Sequence, residues 1–282
     1  MVAPLRRVLM RSAASAMRGA DRQEWHYGQD FDPARADEQY RVFAELVSAA
    51  GAEIEWLDDA DDGLADSVFT HDPSLMTDQG AVILRMGKRL RDPEPALHEA
   101  AYERLGIPIL GRIEDPGMVE GGDCLWLDTE TLAVGRGVRT NEEGIRQLAS
   151  ILHELGVDVT GFDLPLWRGE DACLHLLSLI SPLADDLAIV YAPLLPVALY
   201  QLLRSRGMEL IEGPPDEFAA GSGLSLNVLP TAPRDLITVA GFERTRAALE
   251  AAGCTVSEFD ADALCIPCEG GPTCLTRPIL RA

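Results

Sequence analysis

The chain of 282 residues contains no run of about 18 apolar residues, so no segment is expected to cross a membrane as a helix. Positive charge is also scarce: 24 Lys and Arg stand against 46 Asp and Glu, a net charge of −22. Phosphate backbones are bound by basic faces, which excludes nucleic acid as an expected partner. Such acidity is compatible with a cationic ligand, although a solvated acidic surface has the same composition. The opening MVAPLRRVLMRSAASAM carries arginines but lacks an apolar segment of about 7–15 residues, so it is read as mature protein. Six cysteines without a secretory signal point to a reducing compartment, and the cytoplasm is the expected location. Cys265-Ile-Pro-Cys268 has no second C-x-x-C and no H-x-x-x-H partner, so no metal site is expected; a redox pair remains an alternative.

What is present is a repeat. Five amphipathic stretches, beginning EQYRVF, PALHEAA, NEEGIRQ, PVALYQ and ERTRAAL, each end in a glycine followed by a short strand. Their apolar residues fall at i, i+3 and i+4, and the glycine suits a left-handed helix cap. The glycines are Gly51, Gly106, Gly156, Gly207 and Gly253, separated by 55, 50, 51 and 46 residues. An apolar strand precedes each helix (LRRVLMRS, AVILRMG, TLAVGRG, LAIVYAP, DLITVAG), and a third segment follows each glycine strand. One unit is therefore strand–helix–strand–strand, five times over, in a single α/β domain spanning 1–282. The last segment, ending near Leu280, has no following strand except residues 4–12; pairing the two would close a ring and leave no exposed sheet edge. An open α/β sheet is the alternative, but three features recur in phase rather than one. Residues 13–35 form the longest connector without periodicity, read as either a lid over a ligand or a surface loop.

The third segments place chemically active residues in equivalent positions. Fourteen to twenty-one residues beyond their capping glycines lie Asp66 and Asp72, then Glu120, His175, Asn227 and Cys274. In a ring these positions converge on one axis. A core has no use for three carboxylates, a histidine, an amide and a thiol together, because unpaired buried charge is costly. Taken singly, each has a plain structural alternative: Asp66 and Asp72 as turn caps, Glu120 as a turn carboxylate, His175 as a satisfied core histidine, Cys274 as a buried thiol. Their shared phase argues for a site.

Cysteine with histidine is the pairing of nucleophilic catalysis. Neighbouring carboxylates raise a thiol pKa, which suits an enzyme whose substrate is itself a cation. A positive charge about 4 Å from the sulfur is worth roughly 4 kcal/mol at an effective dielectric of 20. Carboxylates also bind a planar guanidinium through paired hydrogen bonds. The expected ligand is a small guanidino cation, attacked at its central carbon.

With these residues in place, the chain resembles the guanidine-modifying penteins, five-bladed pseudo-symmetric α/β propellers that include dimethylarginine dimethylaminohydrolase, arginine deiminase and the amidinotransferases. The resemblance is carried by LRRVLMRS, DSVFTHDPSL, MVEGGDCLWL, GRGVRTNEEG, CLHLLS, LNVLP and GGPTCLTRP, spread from residue 5 to 278. It implies that Cys274 is the nucleophile, His175 the general acid and base, and Glu120 the carboxylate that binds guanidinium and supports the histidine. Asp66 would contact the substrate's nitrogens, Asp72 would order the pocket beside the cysteine, Arg139 would bind the substrate's α-carboxylate, and Arg91 would be a second carboxylate ligand. No cofactor is implied. His71 stands before Asp72 where the dimethylarginine enzymes most often carry Glu; FTHD is nearer the FTRD of deiminases. Chain length and the compact LHLLS segment favour the dimethylarginine enzymes, so hydrolysis of dimethylarginine to citrulline and dimethylamine is the expected reaction. Arginine deiminase and amidinotransferase activities are alternatives on the same scaffold, and a non-catalytic pentein binding protein is the alternative of another class. Oligomeric state is left open, a homodimer included.

Overall fold

Gly51, Gly106, Gly156, Gly207 and Gly253 all adopt left-handed φ between 68° and 92°, so each expected cap is a cap. They set the frame of the computed structural model, which describes residues 1–58, 63–169 and 172–282. Strand β1 (Leu5–Met10) is followed by short helices α1 (Ala13–Ala16) and α2 (Arg22–Trp25), then α3 (Pro33–Ala49) and β2 (Glu53–Trp56). The second repeat is β3 (Ser74–Thr77), β4 (Gly80–Ile83), α4 (Glu94–Leu105) and β5 (Ile109–Arg112), and the third β6 (Cys124–Trp126), β7 (Thr131–Arg136), α5 (Glu142–His153) and β8 (Asp158–Asp163). The fourth comprises β9 (Ile180–Ala184), β10 (Leu187–Val190), α6 (Val197–Ser205) and β11 (Glu209–Glu212), followed by α7 (Pro215–Ala220). The fifth has β12 (Leu229–Ala232), β13 (Asp235–Val239), α8 (Glu243–Ala251) and β14 (Thr255–Phe259), and β15 (Arg277–Arg281) ends the series.

Among the described residues these strands make five three-stranded sheets, ordered β15-β1-β2, β3-β4-β5, β6-β7-β8, β9-β10-β11 and β12-β13-β14. In each, the central strand pairs in parallel with the strand beyond its crossover helix and antiparallel with the third. Four of the antiparallel pairs are local. The exception is β1 with β15, where Leu9 faces Arg277 and Leu5 faces Arg281, the pairing expected between the two ends of the chain. No described helix is long and apolar enough to cross a membrane.

By its internal contacts the chain divides into two compact units. One holds Met1, His71–Leu179 and Ala192–Arg206. Its core joins Leu75, Val82 and Leu84 of the second repeat to Leu132, Val134, Leu148 and Leu152 of the third. Leu148 and Leu152 are one helical turn apart on α5, so a single face of that helix is buried. Asn141 caps its start, its Oδ1 accepting from Gly144 N at 2.8 Å.

The other unit holds Val2–Thr70, Ile180–Tyr191 and Gly207–Ala282. Phe43 of α3 packs on Phe259 of β14 with ring centroids 5.0 Å apart. Residues 13–35 are not structureless: α1 and α2 occupy part of the connector. Trp25 and Tyr27 are buried while His26, between them, is exposed with φ 64°. Gly28 N donates to Pro267 O at 2.7 Å, which ties the connector to the C-x-x-C segment.

Candidate functional site

The third segments share a device that their sequences did not announce. Four of them run through a short 3-10 turn before the strand: Ala65–Val68, Gly121–Asp123, Leu176–Ser178 and Leu224–Leu226. Asp66 lies within the first; Glu120 and His175 immediately precede the second and third; Asn227 immediately follows the fourth. A tight turn at the strand entrance keeps these residues out of the ladder.

In the first unit the centre is Glu120, fully buried. Its Oε2 lies 2.8 Å from His175 Nε2, and Arg139 Nη1 donates to Oε1 at 3.1 Å and Oε2 at 3.2 Å. Gly87 N also donates to Oε1, at 2.9 Å. Burial alone would raise this carboxyl, but the His175 hydrogen bond and the Arg139 guanidinium outweigh it and bring it down to about 2. His175 rests against Gly122, where a Cβ would fall 2.5 Å from Nδ1; only glycine admits the ring.

Asp72 supports the same region. Its Oδ1 accepts from Gly122 N at 2.8 Å and its Oδ2 from Arg91 Nη1 at 2.7 Å. Burial would raise its pKa, yet Arg91, His175 and His71 hold it well below the usual carboxylate range. The remaining nitrogens of Arg91 go to Glu94, Nε at 3.0 Å and Nη2 at 2.8 Å. Arg91 was expected to receive a substrate carboxylate. In the structure it is 4% exposed and bridges two resident carboxylates, so a third would have to compete with both.

Two residues here escaped the sequence reading. Asp123 accepts from Thr140 Oγ1 at 2.6 Å and from Leu176 N at 3.0 Å, and burial raises its carboxyl to about 6. Cys173 is the second. Burial would lower the His175 pKa, but Cys173, Asp123 and Asp72 together push it well above the ordinary value. Asp123 stood in the quoted EGGD and Cys173 in ACLHLL, but neither shares the phase of the repeat. Donor atoms of Glu120, Cys173 and His175 lie within 4.8 Å of one another, close enough for a small metal ion. The donor set fits one poorly, because Glu120 already accepts from Gly87, Arg139 and His175 and the Arg139 cation sits against it.

In the second unit Asp66 is 6% exposed, and Tyr27 Oη donates to its Oδ1 at 2.7 Å. Phe69 lies against Gly270, where a Cβ would fall 2.3 Å from the ring. Asn227 Nδ2 donates to Cys274 Sγ at 3.1 Å. Cys265 is buried, which together with nearby Cys274 drives its thiol pKa well up; an inert thiol is the result. None of the six cysteines is in a disulfide. Thus the first unit groups Asp72, Arg91, Glu120, Arg139 and His175, and the second holds Asp66 with Tyr27 and Cys274 with Asn227.

A sequence model described as arginine deiminase matches residues 61–196. A dimethylarginine dimethylaminohydrolase of Streptomyces coelicolor is 36% identical over 166 residues, which are 59% of this chain and 61% of that protein. One of Pseudomonas aeruginosa is 28% identical over 251 residues, 89% of this chain and 91% of that protein. The solved structure of the Pseudomonas enzyme, a cysteine-to-serine variant complexed with citrulline, superposes with a TM-score of 0.78 at 25% identity, covering 99% of this chain and 100% of that one.

Proposed function

This chain belongs to the pentein superfamily, whose five-bladed α/β propeller its five sheets match, and from that premise we propose that it is a cysteine hydrolase of a guanidino C–N bond. The observation that carries the reading is the buried His175–Glu120 pair at 2.8 Å. An imidazolium held by a carboxylate is suited to protonate a departing amine, and a core would not keep that pair beside Asp72 and Arg139 without use for it. In this reading the five repeats form one catalytic domain, and residues 13–35 close over the ligand.

Cys274 thiolate attacks the guanidinium carbon and forms a C–S bond, giving a tetrahedral adduct. His175 gives its proton to the leaving nitrogen, the C–N bond breaks and a covalent thiouronium intermediate remains. Neutral His175 then takes a proton from water as the water adds to the same carbon. The C–S bond breaks, the thiolate is restored, the remaining hydroxyl proton passes to solvent and a ureido product departs. Asp66, Asp72 and Glu120 hold the guanidinium, Arg139 the substrate carboxylate, and the chemistry calls for no cofactor. Both named relatives are dimethylarginine dimethylaminohydrolases, which favours dimethylarginine as substrate, with citrulline and dimethylamine as products. The match to the arginine deiminase model and the FTHD sequence favour arginine as the second reading.

The test is incubation of the protein with asymmetric dimethylarginine, arginine, agmatine, or arginine plus glycine, with Cys274→Ser as control and products followed by mass spectrometry. Citrulline with dimethylamine, absent in the variant, is the expected outcome. Citrulline with ammonia from arginine moves the assignment to the deiminases, and guanidinoacetate from arginine plus glycine to the amidinotransferases. No product from any of the four, with no adduct on Cys274, sinks the hydrolase.

A further inference from the structure

Asn227 has no part in the chemistry just described, yet it is built into the Cys274 loop. It is 6% exposed, and its Oδ1 accepts from Thr273 N at 2.9 Å while its Nδ2 stands 3.1 Å from Cys274 Sγ. The first contact fixes the second. A backbone N–H can only donate, so the atom that meets Thr273 N must be the carbonyl oxygen. The atom that meets the sulfur is then the amide nitrogen, a donor with no capacity to accept. Two further features hold the amide in place. Thr273 Oγ1 donates to Val228 O at 2.9 Å, bridging the two segments a second time. Gly271 leaves room for the amide, since a Cβ there would fall 2.5 Å from Asn227 Cγ.

A thiol is a weak hydrogen-bond acceptor and a thiolate a strong one. A buried amide hydrogen aimed at sulfur is poorly satisfied while the sulfur keeps its proton and well satisfied once the proton leaves. That asymmetry favours the ionised form, and the carbonyl's tie to Thr273 stops the amide from turning to a better partner.

We infer that Asn227 is a catalytic residue whose side-chain amide donates to the Cys274 sulfur and shifts its ionisation toward the thiolate. Its place in turnover rests on Cys274 being the nucleophile; the hydrogen bond and its effect on the thiol do not. A hydrogen bond to a charged group changes an equilibrium by about tenfold or more.

The experiment is alkylation of Cys274 by iodoacetamide across a pH series without substrate, read peptide by peptide by mass spectrometry. Wild type is compared with Asn227→Asp and Gly271→Ala. Asn227→Asp keeps the size and the oxygen facing Thr273 N but replaces the donor with an acceptor. Gly271→Ala keeps the amide and pushes it off line. Both are expected to slow Cys274 alkylation about tenfold at neutral pH and displace its rate profile to higher pH. Cys265 reports folding, because it is buried and reacts only if the chain opens; if Asn227→Asp exposes it, Gly271→Ala decides. Profiles that coincide with wild type while Cys265 stays protected overturn the inference and leave the hydrolase standing. Displaced profiles in a protein that turns over no guanidino compound sink the hydrolase and leave the thiolate donor.

Discussion

His175 Nε2 and Glu120 Oε2 are 2.8 Å apart, and every other contact of that carboxylate also comes from a donor: Gly87 N, Lys88 N and Arg139 Nη1. Glu120 is thereby fixed as an anion, and its charge stands against the His175 ring. Glu120→Gln preserves the size and removes the charge. Activity is expected to fall by about 10²–10⁴, the usual worth of a placed acid–base group. The titration of the His175 ring, followed by NMR, is expected to move to lower pH. Unchanged ring titration with lost activity would assign Glu120 to substrate binding alone.

Two of the three buried carboxylates beside His175, Glu120 and Asp123, respond to pH with opposite signs. Glu120 is lowered from 4.5 to about 2, so the stability it contributes is complete above pH 4.5 and is lost as pH falls toward 2. Asp123 is raised from 3.8 to about 6, so the unfolded chain ionises first and stability is lost as pH rises across that window. Asp123→Asn is expected to abolish the second loss and leave the first. Urea unfolding at a series of pH values checks it, and a variant that retains the loss between pH 3.8 and 6 would assign that loss to another group.

Tyr27 reaches from the connector to Asp66, a hydroxyl on a carboxylate at 2.7 Å with both side chains buried. Tyr27→Phe removes one hydrogen bond to a charged group, about 1.5–3 kcal/mol. If residues 13–35 act as a lid and Asp66 binds substrate, KM rises about tenfold or more while kcat changes little. An equal fall in kcat would place the contact in the chemical step instead.

The fold was legible because it repeats. Five glycine caps at regular intervals marked five helices, and an unpaired last strand pointed to β1, whose partner is indeed β15. Helical and strand periodicity are local properties, readable wherever one face is buried. The sequence singled out as candidates the residues that share the phase of the repeat, Asp66, Asp72, Glu120, His175, Asn227 and Cys274, and through the resemblance Arg91 and Arg139. Glu94, Asp123 and Cys173 were not legible, because none shares that phase and each gains its meaning from the charge or donor it meets in the folded chain. Glu94 opens α4 and reads as an ordinary first-turn acid until Arg91 is seen against it. The connector misled for a related reason: α1 and α2 are four residues each, too short to show a period.

Arg91 separates two roles that its sequence position cannot. It is 4% exposed and joins Asp72 to Glu94, so Arg91→Ala strands two buried carboxylates and is expected to cost about 3–5 kcal/mol of stability. Arg91→Lys is the milder probe, since an ammonium keeps the charge but cannot span both partners with a planar fork. Its consequence is disorder of Asp72, which lies beside Gly122 and His175 and acts on any guanidino ligand alike. Affinities for arginine and for agmatine, which lacks the carboxylate, are therefore expected to weaken in equal proportion in Arg91→Lys. In Arg139→Lys the loss is expected for arginine above agmatine. Isothermal titration in the Cys274→Ser background measures both, and a selective loss of arginine in Arg91→Lys would return Arg91 to the substrate's carboxylate.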